Sequence, residues 1–325
     1  MSADGGQAAG FGDPALQNSA FPDRRYNNSI PSISRNLGCS LHVLRLTCVR
    51  SIALLTQPKM KYLDYFRPAF ALALCGGCLT GFALSGQAAV AGQNTLTAQE
   101  KADGWRLLWD GKTFEGWRRV GVDQFPEKGW TIHEGVLTVH ENGGKEVGAG
   151  GDIITRQRYA NFDLLVDFQI TPGANSGIKI FMQTNIPPVD PTTGRPTGQG
   201  SAIGLEFQIL DDARHPDAKL GHDGNRTIGS LYDVLPPAQD KKVRPIGEWN
   251  QARILSQGQH VTFWLNGVKT VEFDRGSPAF RTAVAESKFK YITGFGEWAD
   301  GHILLQDHGN EVSFRNVKIR ELPGK

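Results

Sequence analysis

The sequence predicts an all-β fold, a single β-sandwich with one short helix. Three observations carry this. From residue 104 onward, apolar and polar residues alternate with period two in one short segment after another. Gly-, Asn- and Asp-rich turn chemistry separates those segments. No sustained helical periodicity appears, apart from one capped stretch near residue 277.

Taken in order, Trp105-Arg106-Leu107-Leu108-Trp109 runs into the turn Asp110-Gly111-Lys112 and then Phe114-Glu115-Gly116-Trp117. Trp130–His133 and Val136–Val139 flank Glu134-Gly135, a two-residue hairpin loop. Ile153–Thr155 is short, and the glycine-rich stretch from Asn142 to Gly151 before it is a loop. Phe162–Ile170 alternates throughout, with Phe162, Leu164, Val166, Phe168 and Ile170 on one face. Gly177–Met182 alternates as well. The stretch from Pro187 to Gly200 is a long Pro/Gly/Thr loop of the kind that is functional or disordered, and residues 211–248 form a second irregular region. Ala252–Leu255 and Val261–Leu265 follow, and Asn266-Gly267 turns the chain onto Lys269–Phe273. Ser277-Pro278 places a cap before a first-turn proline and opens the helix, which runs to about Lys288 with Phe280 and Val284 inward. Ile303–His308 and Val312–Leu322 are the last strands. The apolar phase shifts between Phe314 and Val317, which predicts a bulge near Asn316.

A net charge of +2, with no basic run interleaved with aromatics, argues against nucleic acid as a partner. Cys39, Cys48, Cys75 and Cys78 all lie early in the chain, so the β domain has no cysteine nucleophile, disulfide framework or thiolate metal site. Cys75 and Cys78 sit inside the apolar run Pro68–Leu84, which follows Met60, Lys61 and Arg67 and precedes Ala89-Val90-Ala91. That run is shorter than the roughly 20 residues of a membrane span, and the pattern describes a secretory signal peptide over residues 60–91, cleaved after Ala91 or Ala88. Residues 1–59 read as a mis-assigned extension upstream of a start at Met60, or as a disordered leader. The expectation is an exported protein, periplasmic or extracellular, with no stable membrane insertion after cleavage.

The central stretch is Gly204–Asp212. Leu205, Phe207 and Ile209 point one way, so Glu206 and Gln208 project together from the opposite face. Asp211, Asp212, His215 and Asp217 crowd the turn that follows. Asn175-Ser176-Gly177 lies ahead of a neighbouring strand. Gln306 and His308 share one side of the penultimate strand, with Leu305 and Asp307 on the other. An acid, amides and a histidine on one sheet face suit the fixed donors and acceptors of a polyol, and Trp264, out of phase with Phe263 and Leu265, is a candidate sugar platform on that face. Each residue also has an ordinary explanation: a solvated face, a plain turn, a histidine bonded to a carbonyl, a core tryptophan. Asp110, Asp123, Asp163 and Asp167 read as surface or turn residues. Asp211, Asp212 and Asp217 suit calcium but lack EF-hand spacing.

Leu107-Leu108-Trp109-Asp110-Gly111-Lys112-Thr113-Phe114-Glu115-Gly116-Trp117, Asn175-Ser176-Gly177-Ile178, Glu206–Asp211 and His215-Pro216-Asp217-Ala218 form an ordered set of blocks. Gly247-Glu248-Trp249-Asn250, Trp264-Leu265-Asn266-Gly267, Leu305–Gly309 and Phe314–Ile319 continue it. Together they resemble the 3-keto-disaccharide hydrolase family over residues 104–322, with Trp109 standing where Phe is usual. The resemblance implies a concanavalin A-like jelly-roll β-sandwich and cleavage of a 3-keto-glycoside that a separate oxidoreductase has made. A C3 ketone acidifies the C2 hydrogen, so a base can remove it, the C1 substituent can leave, and water can add back. Glu206 or His308 is the candidate base. His215 and Gln208 are candidates to hold the enolate or nearby hydroxyls, with Asn175, Ser176, Asp211, Trp264 and Gln306 as further substrate contacts. A divalent cation near Glu206 or His308 is a candidate enolate stabiliser, although no ligand spacing marks it. The competing readings are a conventional two-carboxylate glycosidase and a non-catalytic carbohydrate-binding module.

Overall fold

The computed structural model describes residues 92–143, 150–197 and 202–324. The expected upstream extension and signal segment, and all four cysteines, lie outside them. The described strands are β1 (Arg106–Leu107), β2 (Trp117–Arg119), β3 (Trp130–His133), β4 (Val136–Val139), β5 (Ile153–Thr155), β6 (Phe162–Ile170) and β7 (Asn175–Gln183). They continue with β8 (Ile203–Leu210), β9 (Asn250–Gln257), β10 (His260–Leu265), β11 (Val268–Asp274), β12 (His302–Leu305) and β13 (Val312–Glu321).

These strands form two antiparallel sheets. The larger has the order β11-β10-β9-β6-β13-β4-β3, with β1 paired to β13, and the smaller is β2-β5-β12-β7-β8. The sandwich forms because each long strand has one apolar face to bury. Phe207 of β8 reaches across from the smaller sheet, its ring 6.4 Å from Phe168 and 5.5 Å from Phe263 of the larger. Phe207→Ala should therefore cost about 3–5 kcal/mol and lower the thermal midpoint by roughly 6–20 °C. A thermal melt moving by less than about 3 °C would show that this ring does not bridge the sheets.

The sequence-based expectations for the turns are met in detail. Asn266 and Gly267 carry φ of 50° and 81°, the pair of left-handed conformations that a type I′ hairpin needs. The β6–β13 register shifts between Arg315 and Lys318, with Asn316 at φ 51°. There Asn316 exchanges backbone-to-side-chain hydrogen bonds with Asn94 at 2.6 and 2.8 Å, which tie the segment before β1 to the bulge. Helix α2 (Pro278–Glu286) starts at the Ser277 cap, with Phe280 stacked 5.4 Å from Phe273.

Other features differ from expectation. Helix α1 (Ala98–Ala102), held by a Thr97–Glu100 capping box, and a 3₁₀ turn over Pro216–Lys219 were not expected, because neither has a buried face to impose periodicity. Asp163 is no surface residue. It is wholly buried beneath Arg253, which grips it through two 2.8 Å hydrogen bonds, and Arg320, which adds one at 3.0 Å.

Candidate functional site

The smaller sheet presents its outer face to a cavity of about 240 Å³. That lies just below the roughly 300–1,000 Å³ usual for small-molecule sites. Glu206 and Gln208 of β8, Asn175 and Lys179 of β7, and Gln306 and His308 beyond β12 line it. On β7 and β8 they converge because alternation turns the intervening Ile178 and Phe207 into the core; Gln306 and His308, expected on the penultimate strand, instead follow its end at Leu305. Pro188, Val189 and Pro191 of the long loop after β7 form one wall, and Phe289 and Ile292 after α2 form another.

Glu206 is almost fully buried, with 6 % of its surface exposed. Lys179 lies opposite it across the β7–β8 ladder, its Nζ 3.6 Å from Glu206 Oε2. With its amide turned to the orientation its neighbours favour, the Gln208 side chain donates to Glu206 Oε1 at 3.3 Å and to the Ser176 carbonyl at 3.2 Å. Room for the carboxylate comes from Gly177, where a Cβ would lie only 2.2 Å from Glu206 Oε1. Burial pushes the nearby Asp152 carboxyl up from its ordinary value, opposed by the Lys179 charge.

His308 faces the cavity, and the ring of His215 stands edge-on to it with centroids 6.1 Å apart. His215 caps the 3₁₀ turn by accepting the Asp217 N–H at Nδ1 (3.2 Å), which leaves Nε2 as its donor in the neutral form. Burial, and then the neighbouring His308, hold the His215 imidazole below its usual pKa.

Four expected substrate contacts are not among the cavity's lining residues: His215 stands beside it, against His308, and the other three lie elsewhere. Ser176 is inside β7 rather than in a turn before it, so it faces the core, and its hydroxyl donates to the Gln306 carbonyl at 2.8 Å. Asp211 closes the turn after β8. It accepts the Gly173 N–H at 2.8 Å, the Arg214 guanidinium at 3.0 Å and the Ala213 N–H at 3.2 Å. Partial burial alone would raise its carboxyl, but these donors hold it low. Its short, multiply bonded side chain anchors the loop carrying His215 and is not among the cavity's lining residues. Trp264 is on β10 of the other sheet, facing outward beneath the Arg253 guanidinium at 4.9 Å from the ring. Alternation tells which side of its own sheet a residue occupies, not which sheet that is.

Sequence reasoning missed Lys179, Tyr232 and Lys288. Lys179 is one lysine in an otherwise apolar strand, and its place opposite Glu206 is a matter of register. Residues 229–232 run along the free edge of β8, with Gly229 N donating to the Gln208 carbonyl and Tyr232 N to the Glu206 carbonyl. This long-range pairing leaves no local pattern. Burial, with the Glu206 and Asp217 charges, drives the Tyr232 phenol far above its usual value, so it stays neutral. Arg226 ties Asp217 (2.9 Å) to Asp233 (2.5 Å), and Asp233 accepts the Lys288 N–H at 2.6 Å. That chain of bonds fixes the end of α2 against the cavity.

Among the described residues, no three His, Cys, Asp or Glu side chains gather as metal ligands. Glu206 and His308 offer one carboxylate and one imidazole to a cation, fewer than a closed ligand set needs.

Comparison with known proteins agrees with this architecture. A curated 3-keto-disaccharide hydrolase from Bacteroides thetaiotaomicron is 35 % identical over 241 residues, spanning 70 % of this chain and 82 % of that protein. A crystal structure of a candidate glycosyl hydrolase from Parabacteroides distasonis is 30 % identical with a TM-score of 0.59, covering 71 % of this chain and all of that one. A second from the same organism is 29 % identical with a TM-score of 0.50, covering 67 % of this chain and 99 % of the other. The family model described as the 3-keto-alpha-glucoside-1,2-lyase-like domain matches residues 104–320, and the chain belongs to that family.

Proposed function

We propose that this protein is a carbohydrate hydrolase that cleaves 3-keto-glycosides by removing the C2 proton, expelling the C1 substituent and adding water. The observation that carries this reading is that Glu206 is the one carboxylate among the described residues lining the cavity. Two-carboxylate glycosidases need an acid pair about 5–9.5 Å apart across the scissile bond. Elimination next to a ketone needs one base, donors for the developing enolate and a proton for the leaving oxygen. Glu206 is the base, poised by Gln208 and Lys179. The Gln306 side chain and His215 Nε2 are the donors for sugar hydroxyls, and His308 returns a proton to the leaving group. No step is routed through a cation. The 3-keto group must come from a separate oxidoreductase, and the signal-like pattern over residues 60–91 supports a reaction that takes place after export.

The test is turnover of a 3-keto disaccharide beside its unoxidised parent, in D₂O. Hydrolysis of the keto sugar alone, with deuterium at C2 of recovered product, is the expected result. Comparable hydrolysis of the parent would establish a conventional glycosidase, and binding without turnover a carbohydrate-binding module.

A further inference from the structure

Lys288 is the cation in the cavity that the mechanism above leaves unused. It follows the C-cap of α2, and the hydrogen bond from its own N–H to Asp233 fixes its backbone. Its ammonium lies 4.2 Å from the centroid of the Tyr232 ring and 5.2 Å from that of Phe289. Among the described residues its Nζ makes no hydrogen bond and no ion pair. The other lysine lining the cavity, Lys179, is paired with Glu206.

The charges around Lys288 are Glu206 and Asp233, which favour its protonated form, and Lys179 and Arg226, which oppose it. Burial outweighs all four, so the net effect is to lower its pKa. An amine in an aromatic-walled pocket without a bound carboxylate is the setting in which lysine becomes a nucleophile toward carbonyl carbon.

We propose that the Lys288 amine condenses with the C3 ketone of the substrate, so that elimination runs through a protein-bound iminium rather than a free enolate. This rests on the reading of the cavity as a 3-keto-glycoside site. The neutral amine attacks C3 and the C–N bond forms; the carbonyl oxygen takes one proton from solvent and departs as water, leaving a protonated imine, and that proton returns to solvent when the C=N bond is finally hydrolysed. Glu206 takes the C2 proton, giving an enamine, and the enamine electron pair expels the C1 oxygen, which leaves protonated. Water adds to C1 of the conjugated iminium and C2 is reprotonated. A second water then hydrolyses the C=N bond, which frees the 3-keto sugar and restores the amine. One water is released and two are consumed, so the net reaction is hydrolysis. The positive nitrogen supplies the electron sink that would otherwise fall to a metal ion.

Cyanoborohydride, which reduces an iminium to a stable amine, reads this out. Added to the native protein during turnover of a 3-keto disaccharide, it should inactivate the enzyme and leave the reduced sugar on the peptide carrying Lys288. Lys288→Met should take no adduct and lose turnover. Lys288→Arg keeps the charge but cannot condense, so it too should lose turnover while melting at the native temperature. Turnover by the native protein with no adduct, or with adducts only on other lysines, would overturn the proposal, as would native-like turnover by Lys288→Arg. No turnover of the keto sugar by the native protein would instead remove the reading of the cavity, and the imine with it.

Discussion

Glu206→Gln is expected to lower kcat on a 3-keto disaccharide by roughly 10²–10⁴-fold, the usual worth of a positioned general base. The substitution keeps the size and the hydrogen-bonding reach of the side chain, so the Gln208 amide retains an acceptor at the same place. What disappears is the proton acceptor. The structural cost is real but smaller: the Lys179 ammonium, whose side chain is only 12 % exposed, loses the carboxylate 3.6 Å away. A deprived buried donor costs on the order of 1–3 kcal/mol. A domain with about 5–15 kcal/mol of stability tolerates that loss at 25 °C, so kinetics measured well below the melting range separate the two effects. A kcat within threefold of the native value would remove Glu206 from the chemistry and shift the role of base to His308.

The parts of the site that could be read in the sequence are those fixed by local geometry. Glu206 and Gln208 were legible because Leu205, Phe207 and Ile209 can only face a core, and a pleated strand then has no choice about its other face. The Asn266-Gly267 hairpin and the Asn316 bulge were legible for the same reason, since each is a backbone conformation written in two or three neighbouring residues. Asp211 was misjudged because an aspartate after a strand is equally suited to bind a ligand or to cap its own turn, and the backbone N–H groups of Gly173 and Ala213 decide between them. Trp264 and Ser176 were misplaced by questions of sheet membership and strand onset, which depend on pairing partners far away in sequence. Lys179, Tyr232 and Lys288 depend on the same long-range pairing: a cross-strand register, an edge segment along β8 and the exit of α2. The cavity is thus half strand alternation and half tertiary assembly.

The second large effect is expected from a single methyl group. Gly177 occupies a β7 position with ordinary extended backbone, so alanine meets no conformational penalty there and even reduces the entropy of the unfolded chain, worth about 0.4–1 kcal/mol. Its Cβ, however, would lie 2.2 Å from Glu206 Oε1, 2.8 Å from Cδ and 2.9 Å from Cγ. The obstacle is the far end of a side chain rather than backbone, so the fold survives and the carboxylate must swing aside. A base displaced by about 1 Å loses on the order of 10²-fold in rate. Gly177→Ala should therefore lower kcat/KM by roughly 10²-fold with a thermal midpoint close to the native one. The decisive comparison is the double variant with Glu206→Gln. If Gly177 matters only through the room it leaves for Glu206, adding the methyl group to a protein that has already lost its base should cost almost nothing more, and the two effects should be strongly non-additive. Full additivity would show that the glycine serves the substrate directly, by letting the sugar approach the strand, and that the carboxylate's position owes nothing to the missing side chain.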